Sequence, residues 1–374
     1  MQILFAKAIF DILSDDFWTH FRNSGKKMVG IGRFELPTFC PPDKRAKPGC
    51  AISRSCYLIY TRFVNISSNK GGKIAFCGVF YITMSKKYYF KAEIFGMCGG
   101  VHTALNTLQE LVDRAGQGVF VFNELVHNRS VTDSFIRQGV SFVNKIEDVP
   151  QGAPLVIGAH GVAPELETAL RARAGECVDA TCPLVKKLHR IAAGLGKEEE
   201  LILFGKAGHP EVAGVAGYSA AGKLFIISSA DEVDSLPDLR NPVFISQTTV
   251  DHGEVNAALE KLKQRFPQLK ECSNICDASW KRQIAVLELA KKCDAVLVIG
   301  SLHSSNARRL MEIARRTGIE AALIDDASQI TPEMLSFDCI GITSGASTPQ
   351  YLFDGVVSAL EKAGFAEAEK EADS

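Results

Sequence analysis

The chain has 374 residues, of which 46% are hydrophobic and 23% charged; this composition is typical of a globular protein, and the length allows two or three domains. Its net charge of −1 gives no support for nucleic-acid binding. No apolar run approaches the roughly 20 residues that span a bilayer, so we expect no membrane partner.

Residues 1–84 differ from the rest of the chain. They carry a charge of +7, which leaves −8 for the remainder, and they lack sustained helical periodicity. Within them, VGIGRFELPTFCPPDKRA resembles a transfer-RNA gene region translated as if it were coding. We therefore expect a largely disordered gene-start artefact, with Met84 as the true start. A targeting segment and a genuine extra domain are the alternatives.

Short apolar stretches alternate with amphipathic ones after Met84. The predicted strands are YYFKAE, GVFVFNE, VSFVN, PLVIGAH, ECVDAT, ELILFGK, KLFIIS, PVFISQTT, DAVLVIGS, AALIDD and CIGITSG. Amphipathic stretches such as ALNTLQELV, SVTDSFIRQG and PELETALRA predict helices between them. This alternation is typical of parallel sheets with covered faces, so the sequence predicts an α/β protein of more than one domain.

Three cysteines occupy equivalent positions before predicted helices. Cys98, Cys182 and Cys276 are 84 and 94 residues apart, which predicts three similar α/β units that each bring one thiol to a common centre. Three thiolates are compatible with an iron–sulfur cluster that has one open iron, with a catalytic zinc site, or with plain core cysteines. The other cysteines after Met84 lack this placement, and we expect buried, inert thiols at Cys177, Cys272, Cys293 and Cys339.

Polar residues follow many of the predicted strands. His127, His160 and His209 each lie between a strand and a helix, and Glu211 follows two residues after the last of them. The predicted helix starts carry Ser304, Ser305, Asn306 and Ser347. Such residues, taken singly, are usually helix caps or structural histidines. Three matching histidines beside helix starts favour an anionic ligand, because backbone amides and imidazoles donate hydrogen bonds to phosphate.

Eight motifs stand in a fixed order between about residues 88 and 364. They are GMCGGV, VHNRSVTDS, AHGV, DATCPLVKKLH, AGHPEV, SQTT, GSLHSSNARRL and GITSGASTPQ. Their combination resembles the 4-hydroxy-3-methylbut-2-enyl diphosphate reductase family, the LytB type. The resemblance implies a cloverleaf of three α/β domains around an oxygen-sensitive [4Fe–4S] cluster with three cysteine ligands. We place these domains at residues 85–178, 179–272 and 273–365, followed by a charged tail at 366–374.

The resemblance also implies a reaction. The allylic hydroxyl of 4-hydroxy-3-methylbut-2-enyl diphosphate would coordinate the open iron, and two electrons and two protons would remove it as water. The products are isopentenyl and dimethylallyl diphosphate, in the last step of the non-mevalonate isoprenoid route. Cys98, Cys182 and Cys276 match the cluster ligands. Glu211 matches the proton-delivering carboxylate, and Thr248 matches the hydroxyl that orients the substrate. The diphosphate-binding set is matched by His127, His160, His209, Ser304, Ser305, Asn306 and Ser347.

The remaining predictions concern partners and location. The chain has no glycine fingerprint for nicotinamide or flavin, so a separate ferredoxin or flavodoxin is implied as electron donor. We expect a bacterial cytoplasmic location, or a plastid if residues 1–84 are a targeting peptide. The alternative function is a non-redox α/β protein that binds an anionic metabolite. Two stretches depart from the family pattern: AEIFGMCGGV and CDASWKRQ stand where ANPRGFCAGV and CYATxNRQ are usual.

Overall fold

The computed structural model describes residues 86–272 and 276–368, together with the backbone of three earlier strands. The chain divides into two compact units, Met1–Lys86 and Lys87–Ser374. In the first unit, an antiparallel sheet consists of β1 (Lys27–Met28), β2 (Cys56–Ser67) and β3 (Lys73–Met84). Residues 1–84 were predicted to be largely disordered, but three strands lie within them. The rest of this prediction concerns residues outside the described ones.

The second unit alternates strands and helices. Its strands are β4 (Lys87–Lys91), β5 (Phe120–Phe122), β6 (Ser141–Val143), β7 (Pro154–Ile157), β8 (Glu176–Asp179), β9 (Glu200–Phe204), β10 (Lys223–Ile227), β11 (Pro242–Ser246), β12 (Lys270–Glu271), β13 (Ala295–Ile299), β14 (Glu320–Ile324), β15 (Cys339–Ser344) and β16 (Phe365–Glu367). Its α-helices are α1 (Gly99–Ala115), α2 (Arg129–Ile136), α3 (Pro164–Arg173), α4 (Pro183–Ala193), α5 (Pro210–Tyr218), α6 (His252–Arg265), α7 (Asp277–Lys292), α8 (Ser305–Arg316) and α9 (Gln350–Lys362). All the strands predicted after Met84 are confirmed; β12 and β16 were missed because each has only two or three residues, most of them exposed.

The strands of the second unit form three parallel sheets. The first sheet has the order β6-β5-β7-β8, the second β10-β9-β11-β12, and the third β14-β13-β15-β4-β16. All pairings within them are parallel. The predicted α/β fold is confirmed, and the first three positions of each sheet follow the same chain order, so the three sheets repeat one arrangement.

The fourth position of the third sheet is occupied by β4, the first strand of this unit. Its residues 88–90 pair with residues 339–341 of β15, and the fully buried Tyr89 lies in the core of this sheet. In the other two sheets, the fourth strand comes last in its own stretch of sequence. The predicted division counts β4 with residues 85–178, whereas β4 pairs with strands after residue 338. The other predicted domain boundaries stay a prediction.

A helix follows each fourth strand and packs against the next sheet along the chain. In α1, the apolar side chains of Ala104, Leu108 and Leu111 recur at helical spacing and share a core with Val121 of β5 and Val156 of β7. Helices α4 and α7 join the cores of the second and third sheets in the same way. The residue between a fourth strand and its helix therefore lies where two sheets meet. Within the described part of the chain, no helix has the length and apolar character needed to span a bilayer.

Candidate active site

One cavity of the second unit receives loops from all three sheets. In each sheet, the loops after the strands in the second, third and fourth positions contribute to its wall. The fold brings all the residues predicted for the site to this cavity: Cys98, Cys182, Cys276, His127, His160, His209, Glu211, Thr248, Ser304, Ser305, Asn306 and Ser347. Ligands of parallel α/β sheets bind at this carboxyl edge, and here three such edges share one space.

The three cysteines are positioned by the same backbone hydrogen bond. Each is the N-cap of its helix, and its N–H donates to a carbonyl two residues beyond the third strand of the same sheet. These bonds join Cys98 to Ala346, Cys182 to Ala159 and Cys276 to Thr248, at 3.0, 3.0 and 3.4 Å. The repeated bond gives each thiol an equivalent place at a helix N-terminus, where the dipole favours a thiolate.

The thiols lie close enough to affect one another. A Cβ atom added to Gly100 would lie 2.9 Å from the sulfur of Cys182 and 4.0 Å from that of Cys98. Burial raises the pKa of the Cys182 thiol, and the negative charges of Cys276 and Cys98 raise it further, against backbone hydrogen bonds at the start of α4 that lower it. Three thiolates in one place repel, so they require a bound positive group.

The remaining cysteines are not in this cavity. Cys293 and Cys339 are buried, as predicted, and a hydrogen bond from Cys293 lowers the pKa of Cys339. Cys177 and Cys272 are half-buried rather than buried. Within the described residues, these four cysteines do not contribute to the cavity wall. This distinguishes them from the three thiols at the helix starts.

The surroundings of Arg282 show whether this site suits a metal group bound by thiolates. Its side chain is 2% exposed, and its Nε has no hydrogen-bond partner among the described residues. Burial lowers its pKa, whereas the charges of Cys98 and Cys276 raise it. A buried cation is costly unless an anion compensates for it. The thiolates of a metal centre supply that anion, so the donor set fits a cluster held by Cys98, Cys182 and Cys276.

The three histidines form a compact group on another part of the wall. Their ring centroids are 4.5 Å apart for His127 and His160, 5.5 Å for His160 and His209, and 6.1 Å for His127 and His209. One ligand atom from each lies within 4.8 Å of the others, which is close enough for them to share one ligand.

Hydrogen bonds indicate what kind of ligand this is. The Nδ1 of His209 accepts from the Glu211 N–H at 3.2 Å, so the ring proton of a neutral His209 lies on Nε2. The carboxylate of Glu124 accepts a hydrogen bond from the Nδ1 of His127. A neutral His209 therefore has a donor free for a ligand rather than a metal-binding lone pair. This arrangement favours an anion over a metal ion bound by the three rings.

The protonation of these imidazoles differs. Burial and the charges of His127 and His209 hold the pKa of His160 well below its usual range. The pKa of His209 is lowered to about 4 by burial and by neighbouring positive charges, chiefly that of His127. Both rings are therefore neutral at pH 7 and act as hydrogen-bond donors without a net charge.

Glu211 and Thr248 form a buried pair. The carboxylate of Glu211 accepts hydrogen bonds from the Thr248 N–H at 2.6 Å and from its hydroxyl at 2.9 Å. Burial raises the pKa of Glu211 to about 7, although both hydrogen bonds oppose this shift. A carboxyl group that titrates near neutral pH is suited to general acid catalysis. Glu211 is 1% exposed, so bulk water does not compete for its proton.

The start of α8 presents further donors. Ser304 is the N-cap, its Oγ accepting from the Ala307 N–H at 3.3 Å. The Oδ1 of Asn306 accepts from the Ser279 hydroxyl at 3.2 Å, whereas its Nδ2 is buried with no partner within the described residues. Together with the free amides of a helix N-terminus, this unpaired donor fits a phosphate group. The Ser347 hydroxyl donates to the carbonyl of His127 at 3.2 Å.

Sequence reasoning did not identify Glu124, Ser279 or Arg282. The first lies three residues before His127 in NELVHNRS, which was a usable signal for a carboxylate–imidazole pair. The other two lie in CDASWKRQ, three and six residues after Cys276. Their partners, Asn306 and the turn before Cys98, are distant in sequence, so no local pattern indicated them.

Comparisons with known proteins show which family this chain is similar to. The LytB protein family matches residues 90–361. The chain is 39% identical to a 4-hydroxy-3-methylbut-2-enyl diphosphate reductase of Rhodococcus jostii (strain RHA1) over 287 residues, which are 75% of this chain and 85% of that protein. It is 38% identical to a reductase of the same name from Xanthomonas axonopodis pv. citri (strain 306) over 293 residues, covering 75% of this chain and 92% of that protein.

A solved structure supports the same assignment. The E-1-hydroxy-2-methyl-but-2-enyl-4-diphosphate reductase from Plasmodium falciparum matches with a TM-score of 0.72 and 28% identity, covering 77% of this chain and 94% of that one. The resemblance seen in the eight motifs is thereby confirmed over the stretch that contains every cavity-lining residue. The chain belongs to the LytB protein family.

Proposed function

We propose that this chain reduces 4-hydroxy-3-methylbut-2-enyl diphosphate to isopentenyl and dimethylallyl diphosphate, as the terminal enzyme of the non-mevalonate pathway. The carrying observation is one cavity, in a LytB-family chain, that contains three thiols, three imidazoles and a buried Glu211–Thr248 pair. In the reaction, two electrons and two protons break the carbon–oxygen bond of the allylic hydroxyl, and the oxygen leaves as water.

The proposed cofactor is a [4Fe–4S] cluster held by Cys98, Cys182 and Cys276. When bound, such a cluster supplies electrons, and an iron without a protein ligand supplies a Lewis acid for the hydroxyl. The three helix starts hold the thiolates around one point because each cysteine N–H is bonded to its own sheet.

The proposed diphosphate site consists of the three histidines, the start of α8, and Ser347 in the loop before α9. His209 contributes its Nε2–H, and Asn306 contributes the unpaired Nδ2 donor. Ser304, Ser305 and Ser347 add hydroxyl groups and backbone amides. The neutral imidazoles of His160 and His209 and the amide donors bind a diphosphate without cancelling its charge, and this limits the cost of releasing the products.

We assign proton delivery to Glu211. Burial raises its pKa to about 7, so the carboxyl group keeps a transferable proton much closer to neutral pH than an exposed glutamate does. When the proton leaves, the Thr248 N–H and hydroxyl stabilise the carboxylate that remains. The hydroxyl of Thr248 also lines the cavity, where it orients the allylic end of the substrate.

The electron donor and the compartment belong to the same proposal. A ferredoxin or flavodoxin is the partner we propose, because two electrons must arrive singly at an iron–sulfur centre. A bacterial cytoplasm is the proposed location, supported by the bacterial origin of the Rhodococcus and Xanthomonas relatives described above.

Purification without oxygen tests the function. We expect a brown protein with broad visible absorbance, near-stoichiometric iron and sulfide, and turnover of the allylic diphosphate with a strong one-electron reductant. The competing function, a non-redox binder of an anionic metabolite, predicts a colourless protein that binds diphosphates but does not reduce them. An iron-free wild-type protein would contradict the reductase.

Cysteine substitutions test the ligand assignment. Cys98→Ser, Cys182→Ser and Cys276→Ser should each abolish cluster retention and turnover, because each removes one of three thiolates. Serine at the cysteines outside the cavity should leave the iron content near wild type; these controls are Cys177→Ser, Cys272→Ser, Cys293→Ser and Cys339→Ser. A full cluster in the Cys276→Ser protein would disprove the assignment.

A further inference from the structure

Within residues 86–272 and 276–368, Arg282 on α7 is buried without a carboxylate partner. Its side chain is 2% exposed, and its two Nη atoms donate to backbone carbonyls rather than to an Asp or Glu. Its Nε–H also lacks an acceptor within these ranges. A guanidinium in such a place is costly unless a negative group lies close by.

The other two nitrogen atoms of Arg282 join two cysteine turns. Nη1 donates to the Ala278 carbonyl at 2.7 Å, and Nη2 donates to the Gly96 carbonyl at 2.6 Å. The first acceptor lies two residues after Cys276, and the second lies two residues before Cys98. These turns follow the fourth strands of different sheets, so one side chain connects two of the three places where a thiol enters the cavity.

Among the described residues, the ionisable groups that favour the charged form of Arg282 are these same thiols. Burial lowers its pKa, and the charges of Cys98 and Cys276 oppose that shift. Ionised thiolates, bare or bound to a cluster, would thus compensate a buried cation that the described carboxylates leave unpaired.

We infer that Arg282 is a positioning residue and counter-charge for the iron–sulfur centre, clamping the turns of Cys98 and Cys276 and favouring the reduced state. This inference rests on the proposed function. Net charge and hydrogen bonds near the sulfur atoms set the reduction potential of such clusters. A fixed positive charge stabilises the reduced centre, which carries one more negative charge, and so raises the potential.

Two variants separate charge from packing. Arg282→Lys keeps the charge but loses the fork geometry, whereas Arg282→Gln keeps donors but loses the charge. The matched control is Gln283→Met, which alters the adjacent buried residue on α7. Gln283 donates to the Val250 carbonyl at 2.9 Å and accepts from the His252 N–H at 3.1 Å, so its loss weakens packing without removing a charge.

All proteins are purified without oxygen, and iron, sulfide, midpoint potential and thermal stability are measured. We expect Arg282→Gln to shift the potential to more negative values by at least about 59 mV, the equivalent of a tenfold change for a one-electron couple. Arg282→Lys should shift it much less, and Gln283→Met should lower thermal stability while leaving the potential unchanged.

Three results would overturn the inference. One is a wild-type potential and iron content in Arg282→Gln, and another is an equal shift in Gln283→Met. If Arg282→Gln retains no cluster, Arg282→Lys decides: retention supports the counter-charge, and equal loss in both variants rejects it. An iron-free wild-type protein would be a failure of the proposed function itself and is distinguished by the same iron measurement.

Discussion

At the scale of single residues, the site depends on hydrogen bonds that set protonation. The N–H of Glu211 fixes the neutral tautomer of His209, and its carboxyl group is bonded twice by Thr248. The carboxylate of Glu124 is hydrogen-bonded to the Nδ1 of His127. The bond from the Glu211 N–H leaves His209 with a donor, rather than a lone pair, for the ligand. The chemistry therefore depends on second partners as much as on the residues that face the substrate.

Glu211→Gln keeps the shape and hydrogen bonding of this side chain but removes the transferable proton. We expect turnover to fall on the order of 10²-fold or more, the scale of general acid catalysis, while diphosphate affinity survives. In the wild-type enzyme the proton is present below the pKa of about 7 and is lost as the pH rises, so kcat should decline above pH 7. A pH profile of kcat checks this, and near-normal turnover of the variant would refute the role.

Glu124→Gln tests the carboxylate beside His127. The amide can present its NH₂ to the ring instead of an acceptor, so the orientation of the Nδ1 proton is no longer imposed. We expect KM for the diphosphate to rise severalfold while iron content stays unchanged. The matched control is Glu165→Gln on α3, outside the cavity, which should leave KM as it is. An unchanged KM in both variants would mean that Glu124 does not position the ring.

At the scale of elements, the helix starts carry the site. Each fourth strand ends beside the third strand of its sheet, the cysteine N–H bonds to the loop after that third strand, and the helix then leaves for the next sheet. Thiols placed in this way are held by backbone geometry on both sides. Apart from Gly100 and Arg282, which contact a thiol or a cysteine turn, substitutions at other positions in α1, α4 and α7 should therefore affect stability before they affect the cluster.

Two adjacent glycines at the start of α1 offer a matched comparison. A Cβ atom at Gly100 would lie 2.9 Å from the sulfur of Cys182, whereas a Cβ atom at Gly99 meets nothing within 4 Å. Gly100→Ala should therefore displace the thiol and reduce iron content and turnover. Gly99→Ala makes the same chemical change and should retain both. Iron analysis of the two proteins side by side checks the prediction, and equal iron in both would contradict it.

At the scale of the whole molecule, β4 completes the third sheet. A protein beginning at Met84 keeps this strand and every residue of the cavity, so we expect full iron content and wild-type turnover. A protein beginning at Ile94 lacks β4, which leaves β15 unpaired on one side and removes the strand on which β16 pairs. It should lose stability and cluster together. Thermal unfolding and iron content of both proteins test this, and a stable, iron-loaded shorter protein would show that β4 is dispensable.

The sequence by itself determined the elements and the motifs. Short, continuously apolar stretches predicted the strands, because buried parallel strands are nearly uniform in hydrophobicity. The near-equal spacing of Cys98, Cys182 and Cys276 predicted three equivalent thiols. The family resemblance added the cluster, the substrate and the roles of Glu211 and Thr248. The elements and the motifs are local properties of the sequence, so they can be recognised without knowing the fold.

Only the tertiary structure decided which parts meet. The pairing of β4 with β15, which lie about 250 residues apart in sequence, joins the beginning of the second unit to its end. The pKa of Glu211 depends on burial by all surrounding elements, and the place of Arg282 depends on a carbonyl 186 residues away. Such contacts leave no periodic trace in the chain, because burial and long-range hydrogen bonds are set by how the sheets assemble rather than by neighbouring residues.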